Sequence, residues 1–129
     1  MVMPGGGQIY NRQIIKGFAF FFWEHTLNYL GCINKAIYLD LNGHHSEALS
    51  MLDYQFALFY PAVYVLGVFD AFHDAKVENP NSNAGSFFIL GGILGTLSLV
   101  FLKYFPYPLL VGGLCMIVPI MIGVILFRR

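Results

Sequence analysis

The chain has 129 residues, of which 57% are hydrophobic and 11% charged, against roughly 45–50% and about 25% in a soluble domain. A chain this short has too little interior to hide that much apolar surface, so lipid is the expected solvent for much of it. Lys plus Arg and Asp plus Glu balance at 7 each, which leaves no basic field for nucleic acid and no acidic tail.

In chain order, residues 1–13 form a Gly-rich N-terminal segment. They carry no positively charged stretch leading into an apolar run and a small-residue cleavage site, so a removable signal peptide is not expected. Pro4-Gly5-Gly6-Gly7 propagates a helix poorly, each Gly costing about 1 kcal/mol relative to Ala, but it permits a tight turn and close backbone approach. The segment is expected either at the cytoplasmic surface or folded back into the mouth of a helical bundle. A disordered tail is the alternative.

Four apolar segments follow, at about 14–33, 56–72, 86–102 and 109–127. Each is close to the ~17–25 residues that a helix needs to cross the hydrocarbon core. The fold class is therefore read as all-α: a polytopic membrane protein with four transmembrane helices in a single integral membrane domain. Residues 14–75 form a two-helix module and residues 86–127 a helical hairpin. Between the first two spans, Ser46, Leu49, Leu52 and Tyr54 predict a short interfacial helix after the Asn42-Gly43 turn. Glu78-Asn79-Pro80-Asn81-Ser82-Asn83 and Phe105-Pro106-Tyr107-Pro108 mark the other two connections. Pro119 predicts a kink in the last span.

Cations set the orientation. Arg12, Lys16, Lys76, Arg128 and Arg129 fall on one side and Lys35 and Lys103 on the other, which predicts a multi-pass protein with both termini cytoplasmic. Asp40, Glu47 and His44-His45 then face outward.

In the first span, Gly17, Phe21, Glu24, Asn28 and Gly31 recur at helical spacing and share one face. A carboxylate at membrane depth needs a partner. The candidates for Glu24 are Lys16, the Gln8/Tyr10/Asn11 group if that segment folds inward, and His25. As the next residue, His25 projects about 100° away, which argues against a shared chelating pair. Glu24, His25, Asn28 and Lys16 are thus a candidate intramembrane polar node, either a proton or ion site or a structural hydrogen-bond node. Asp70, His73 and Asp74 could together face a cation at the cytoplasmic end of the second span, or could pair with Arg12 and Lys16. Adjacent His44 and His45 do not converge on a metal without a turn, and bis-His haem would need a second buried histidine beside His25. Cys32 and Cys115 read as small hydrophobes. No Ser/His/Asp, CxxC, P-loop or HExxH arrangement occurs, and no catalytic residue, metal or cofactor is assigned. Gly91 and Gly95, with Gly112 and Gly113 in the last span, read as packing surfaces for a second copy or a larger partner.

Pro4-Gly5-x-Gly7-Gln8-x-Tyr10-Asn11, then Lys16-Gly17, then Glu24 eight positions after the lysine, resemble the N-terminal membrane segment of bacterial maltose-type sugar ABC-transporter permeases. Small stand-alone bacterial membrane proteins carry the same pattern. Asp70-Ala71-Phe72 resembles the Asp-Ala-Tyr that closes that segment in the permeases. The resemblance covers roughly the first 75 residues and implies a shared two-helix module in a bacterial cytoplasmic membrane, not transport itself. Gly6 departs from the larger apolar residue usual there. The further spans and the ATPase-engaging loop of a permease are absent from the 129 residues. The expected function is a non-catalytic accessory or scaffolding subunit of a membrane complex, transport-related, with the bilayer and another membrane protein or a second copy as partners. The alternative is a small homo-oligomeric channel or proton-coupled transporter that uses Glu24.

Overall fold

The computed structural model describes residues 4–75 and 84–127, and every element within them is helical. A one-turn helix, α1 (Gly6–Tyr10), is entered through Gly5 at φ 90°. The chain reverses at Arg12, φ 64°, into α2 (Ile14–Leu30). This reversal lays α1 on the first turn of α2, which only glycine permits. A Cβ on Gly5 would collide with the Gly17 carbonyl, and one on Gly17 would lie 2.7 Å from the Gly5 oxygen. The N-terminal segment is therefore folded back onto the bundle.

The first apolar run ends sooner than predicted. Cys32 takes a left-handed conformation, φ 54°, and turns the chain into α3 (Ile33–Leu41), so Ile33 belongs to the next helix and packs into a core cluster with Ala36, Ala48 and Leu52. Gly43 at φ 84° leads to α4 (His45–Met51). The Asp53 side chain, accepting from the Gln55 amide at 2.9 Å, then caps α5 (Tyr54–Ala57). The short helix predicted after the Asn42-Gly43 turn is present as α4, and α3 and α5 flank it. Next comes α6 (Tyr60–His73), with Pro61 in its first turn, where a missing N–H costs no hydrogen bond.

The remaining described elements are α7 (Ala84–Val100), a 3-10 turn at Leu102–Tyr104 and α8 (Pro108–Phe127). The Glu78–Asn83 turn, Lys76, Arg128 and Arg129 lie outside the described residues. Helices α7 and α8 pack as the predicted hairpin. A Cβ on Gly91 would lie 2.8 Å from the Met116 carbonyl, one on Gly95 3.0 Å from Met116 Cβ, and one on Gly112 3.2 Å from Ser98 Oγ. The Gly91/Gly95 pair is consumed inside the chain, which corrects the reading of it as a surface for a partner. Gly113 alone of the four opens onto space, with nothing within 4 Å, beside an apolar cavity of about 70 Å³. Helix α8 continues through Pro119, which is buried.

Two helical runs, Tyr54–His73 and Pro108–Phe127, are 20 residues each and apolar enough to cross a membrane. Helix α7 is apolar but has 17 residues. Helix α2 also has 17 and carries Lys16 and Glu24. At 1.5 Å per residue that is about 25 Å, against roughly 30 Å of hydrocarbon.

Candidate functional site

Three polar assemblies interrupt this apolar fold. The first joins the N-terminal segment to the end of α6. Gln8 is wholly buried, and its Nε2 donates to the Gly67 carbonyl at 2.7 Å and to Asp70 Oδ2 at 3.0 Å. Asn11 Nδ2 donates to the Ala71 carbonyl at 2.8 Å, and Gln13 Nε2 to Asp74 Oδ2 at 2.8 Å. Lys16 bridges Asp70 at 2.5 Å and Asp74 at 3.0 Å. Pro4, Gly5 and Gly7 line a small cavity beside Gln8, and a Cβ on Gly7 would lie 2.5 Å from Ala71 Cβ. Tyr10, by contrast, points away and is 89% exposed.

This geometry redirects the expected partners. Lys16 and the Gln8/Asn11 pair serve Asp70, Asp74 and the α6 backbone rather than Glu24. His73 sits with its Nδ1 3.2 Å from Asp74 Oδ1. Among the described residues no group of three His, Cys, Asp or Glu is arranged to hold a metal ion. The hydrogen bond from Gln13, followed by those from Lys16 and His73, holds the Asp74 carboxyl well below the usual carboxylate range. A depressed carboxyl contributes stability that is fully present above its unfolded value of 3.8 and is lost as pH falls through the lower folded value. The thermal midpoint of the solubilised protein should therefore not change on account of Asp74 between about pH 7 and pH 5, fall below about pH 4, and fall less steeply in Asp74→Asn. An unchanged acid limb in that variant would count against the latch.

The second assembly surrounds Glu24, 6% exposed at the middle of α2. Tyr60 Oη donates to Glu24 Oε1 at 2.9 Å, and Asn28 Nδ2 approaches the same oxygen at 3.5 Å. His25 Nδ1 lies 2.8 Å from Glu24 Oε2 and 3.0 Å from the Phe21 carbonyl. His25 is thus one of the expected partners of Glu24, and it reaches the carboxylate because the imidazole folds back over Phe21 with ring centroids 4.0 Å apart. Tyr60 escaped the sequence reading, although a tyrosine beside Pro61 at the head of an apolar run signals a hydroxyl in need of a buried partner. Asn28 continues outward, donating to Asn34 Oδ1 at 3.1 Å and accepting from the Asn34 amide at 3.2 Å. The polar ladder thus runs from Glu24 to exposed Asn34. In the other direction the Phe20 ring packs on Gly67, the residue whose carbonyl accepts from Gln8.

The third assembly corrects the placing of Asp40 in a solvated loop. Asp40 is wholly buried. Its Oδ2 accepts from the backbone amides of Leu109 at 2.9 Å and Leu110 at 3.2 Å, while Oδ1 accepts from His45 Nδ1 at 2.7 Å. The carboxylate thus caps the start of α8 from α3, satisfying amides that Pro108 leaves exposed and complementing the helix dipole. His45 is also held edge-on by Tyr107 at 5.0 Å between ring centroids. His44 lies apart, 3.8 Å from Glu47.

No family model, curated protein or solved structure matches the chain. The site must be interpreted on its own geometry. Each assembly ties together elements that are distant in sequence: Gln8 to Asp70, Glu24 to Tyr60, Asp40 to Leu109.

Proposed function

We propose that the chain is a non-catalytic, multi-pass protein of a bacterial cytoplasmic membrane that serves as an accessory or scaffolding subunit of a transport-related complex. In this reading α2, α5–α6, α7 and α8 cross the bilayer and both termini are cytoplasmic, with Arg12 and Lys16 on the inner side. The observation that carries it is the use made of Glu24. Its carboxylate is occupied by Tyr60, His25 and Asn28, all partners within the chain. The resemblance of the first 75 residues to a permease module enters on similar terms. Its two separated motifs touch through Gln8–Asp70 and Asn11–Ala71, which supports reading them as one folding unit.

The alternative channel or proton-coupled transporter draws on one observation, the Glu24–Asn28–Asn34 ladder that ends at exposed Asn34. Glu24→Gln separates the two. Under the scaffold reading it lowers stability or the assembled fraction by about 1–3 kcal/mol, because the His25 side of the carboxylate loses its acceptor. Proton flux in proteoliposomes stays at the level of protein-free vesicles with either protein. A pH-dependent flux abolished by Glu24→Gln with assembly intact would establish the transporter instead.

A further inference from the structure

Close packing explains Gly91, Gly95 and Gly112 but not Gly113, where a Cβ would meet nothing within 4 Å. Glycine is a costly choice inside a helix, and what it supplies here is open space. That space is the mouth of the cavity of about 70 Å³ between α3, α6, α7 and α8. Leu102, Leu109 and Met116 wall the interior and are buried, whereas Gly113 and Ile37 line the same cavity and reach the surface. Of the lining side chains only Tyr60 carries a hydrogen-bond donor, and that hydroxyl is committed to Glu24 at 2.9 Å. A void lined in this way stays dry and takes apolar matter. Since a void of ~150 Å³ admits benzene, this one has room for about three carbons of a hydrocarbon chain.

The surroundings of the mouth say which chain. Leu110, Gly113 and Ile117 share one face of α8, so the mouth is a gap in an exposed apolar stripe on a helix long and apolar enough to cross a membrane. It lies about 7.5 Å along α8 from Pro108. Near that end of α8, Lys103 directly follows the lining residue Leu102, with its Nζ 5.0 Å from the centre of the Tyr104 ring. Among the described residues no carboxylate pairs with Lys103. A cation among aromatic residues at a helix end, with an apolar hole one to two turns deeper, complements the phosphate and the early acyl carbons of a lipid. We propose that the cavity binds one acyl chain of an anionic phospholipid, which enters between Ile37 and Gly113 with its phosphate at Lys103. The inference rests on the membrane-subunit reading above, which places α8 in the bilayer.

The test is photolabelling of the full chain in nanodiscs that contain phosphatidylglycerol with a diazirine on an early acyl carbon, the adducts being located by peptide mass spectrometry. Lipid that merely surrounds the protein reaches exposed Leu110, Leu114 and Val118, but not Leu109 and Met116, which are 8% and 6% exposed. Adducts are expected on Leu109 and Met116 as well. Gly113→Leu, which fills the mouth, should lower those two by roughly tenfold or more and leave labelling at the exposed positions unchanged. Gly113→Ala adds one methyl where nothing lies within 4 Å and should keep most of the signal, which separates filling from misfolding. Lys103→Gln should reduce the buried adducts severalfold. Adducts confined to exposed positions would overturn the site and leave the membrane reading in place, whereas no adduct anywhere along α8 would overturn both. Buried adducts equally strong with phosphatidylcholine and indifferent to Lys103→Gln would overturn the anionic head group. Labelling of Met116 only after a co-purifying protein is stripped away would give the mouth to that protein instead.

Discussion

Asp40→Ala should lower the stability of the solubilised protein by about 3–5 kcal/mol, the range for removing one partner of a buried charged network. The loss has two sources. The Leu109 and Leu110 amides lose their acceptor in surroundings where each unsatisfied donor costs about 1–3 kcal/mol. The His45 Nδ1 loses its acceptor as well. Asp40→Asn retains one carbonyl oxygen that can still cap α8, but its amide nitrogen is a donor and cannot serve both His45 and the helix end. An intermediate loss of about 1–2 kcal/mol is expected. Denaturant titration of the two variants in micelles gives the ranking, and equal losses would mean that the cap and the His45 contact are not separable contributions.

Gly17→Val should detach the N-terminal segment. The added Cβ would sit 2.7 Å from the Gly5 carbonyl and 2.6 Å from Ile9 Cγ1. A side chain could turn aside, whereas the backbone oxygen cannot move without lifting α1 off α2. Overpacking of this kind costs about 1–3 kcal/mol. Because the segment is held mainly by Gln8, Asn11 and Gln13 on α6, the expected response is release of residues 4–13 with the four long helices retained. Trypsin cleavage after Arg12 should accelerate at least tenfold while helical circular dichroism stays within a few per cent. Global loss of helicity would show that the latch is needed for the bundle itself.

How much of this was legible beforehand depends on the range of the interaction. Helices α7 and α8 begin and end within two residues of the apolar runs at 86–102 and 109–127, because burial in a helix leaves its mark locally. The Gly5–Gly17 contact was half visible: glycines announced a close approach but not its object. Asp40 was misread because a carboxylate beside Asn42-Gly43 and His44-His45 has the local chemistry of a solvated turn. Its real partners are amides 69 and 70 residues away, and backbone amides have no sequence signature. Lys16 was legible as a candidate for either Glu24, by helical phase, or the Asp70/Asp74 end of the second span, and the structure takes the second, with the lysine reaching to two carboxylates at the end of α6. Small residues at Gly91, Gly95 and Gly112 did mark a close helix contact, but one chain's pattern could not say whether the neighbour was α8 or another molecule.

The cap on α8 also bears on the order of synthesis. The Asp40 side chain is made well before Leu109 exists, so for that interval it is an acceptor with only His45 and water to satisfy it. When the last helix emerges, its first turn arrives with amides unfilled and Pro108 already shaping the entry. The earlier half of the chain thus holds a template, and docking on it fixes where α8 comes to rest against α3. Folding would then end as a ratchet: once Leu109 and Leu110 engage Asp40, sliding α8 along its axis by a single turn would strand a buried carboxylate and two amides without partners.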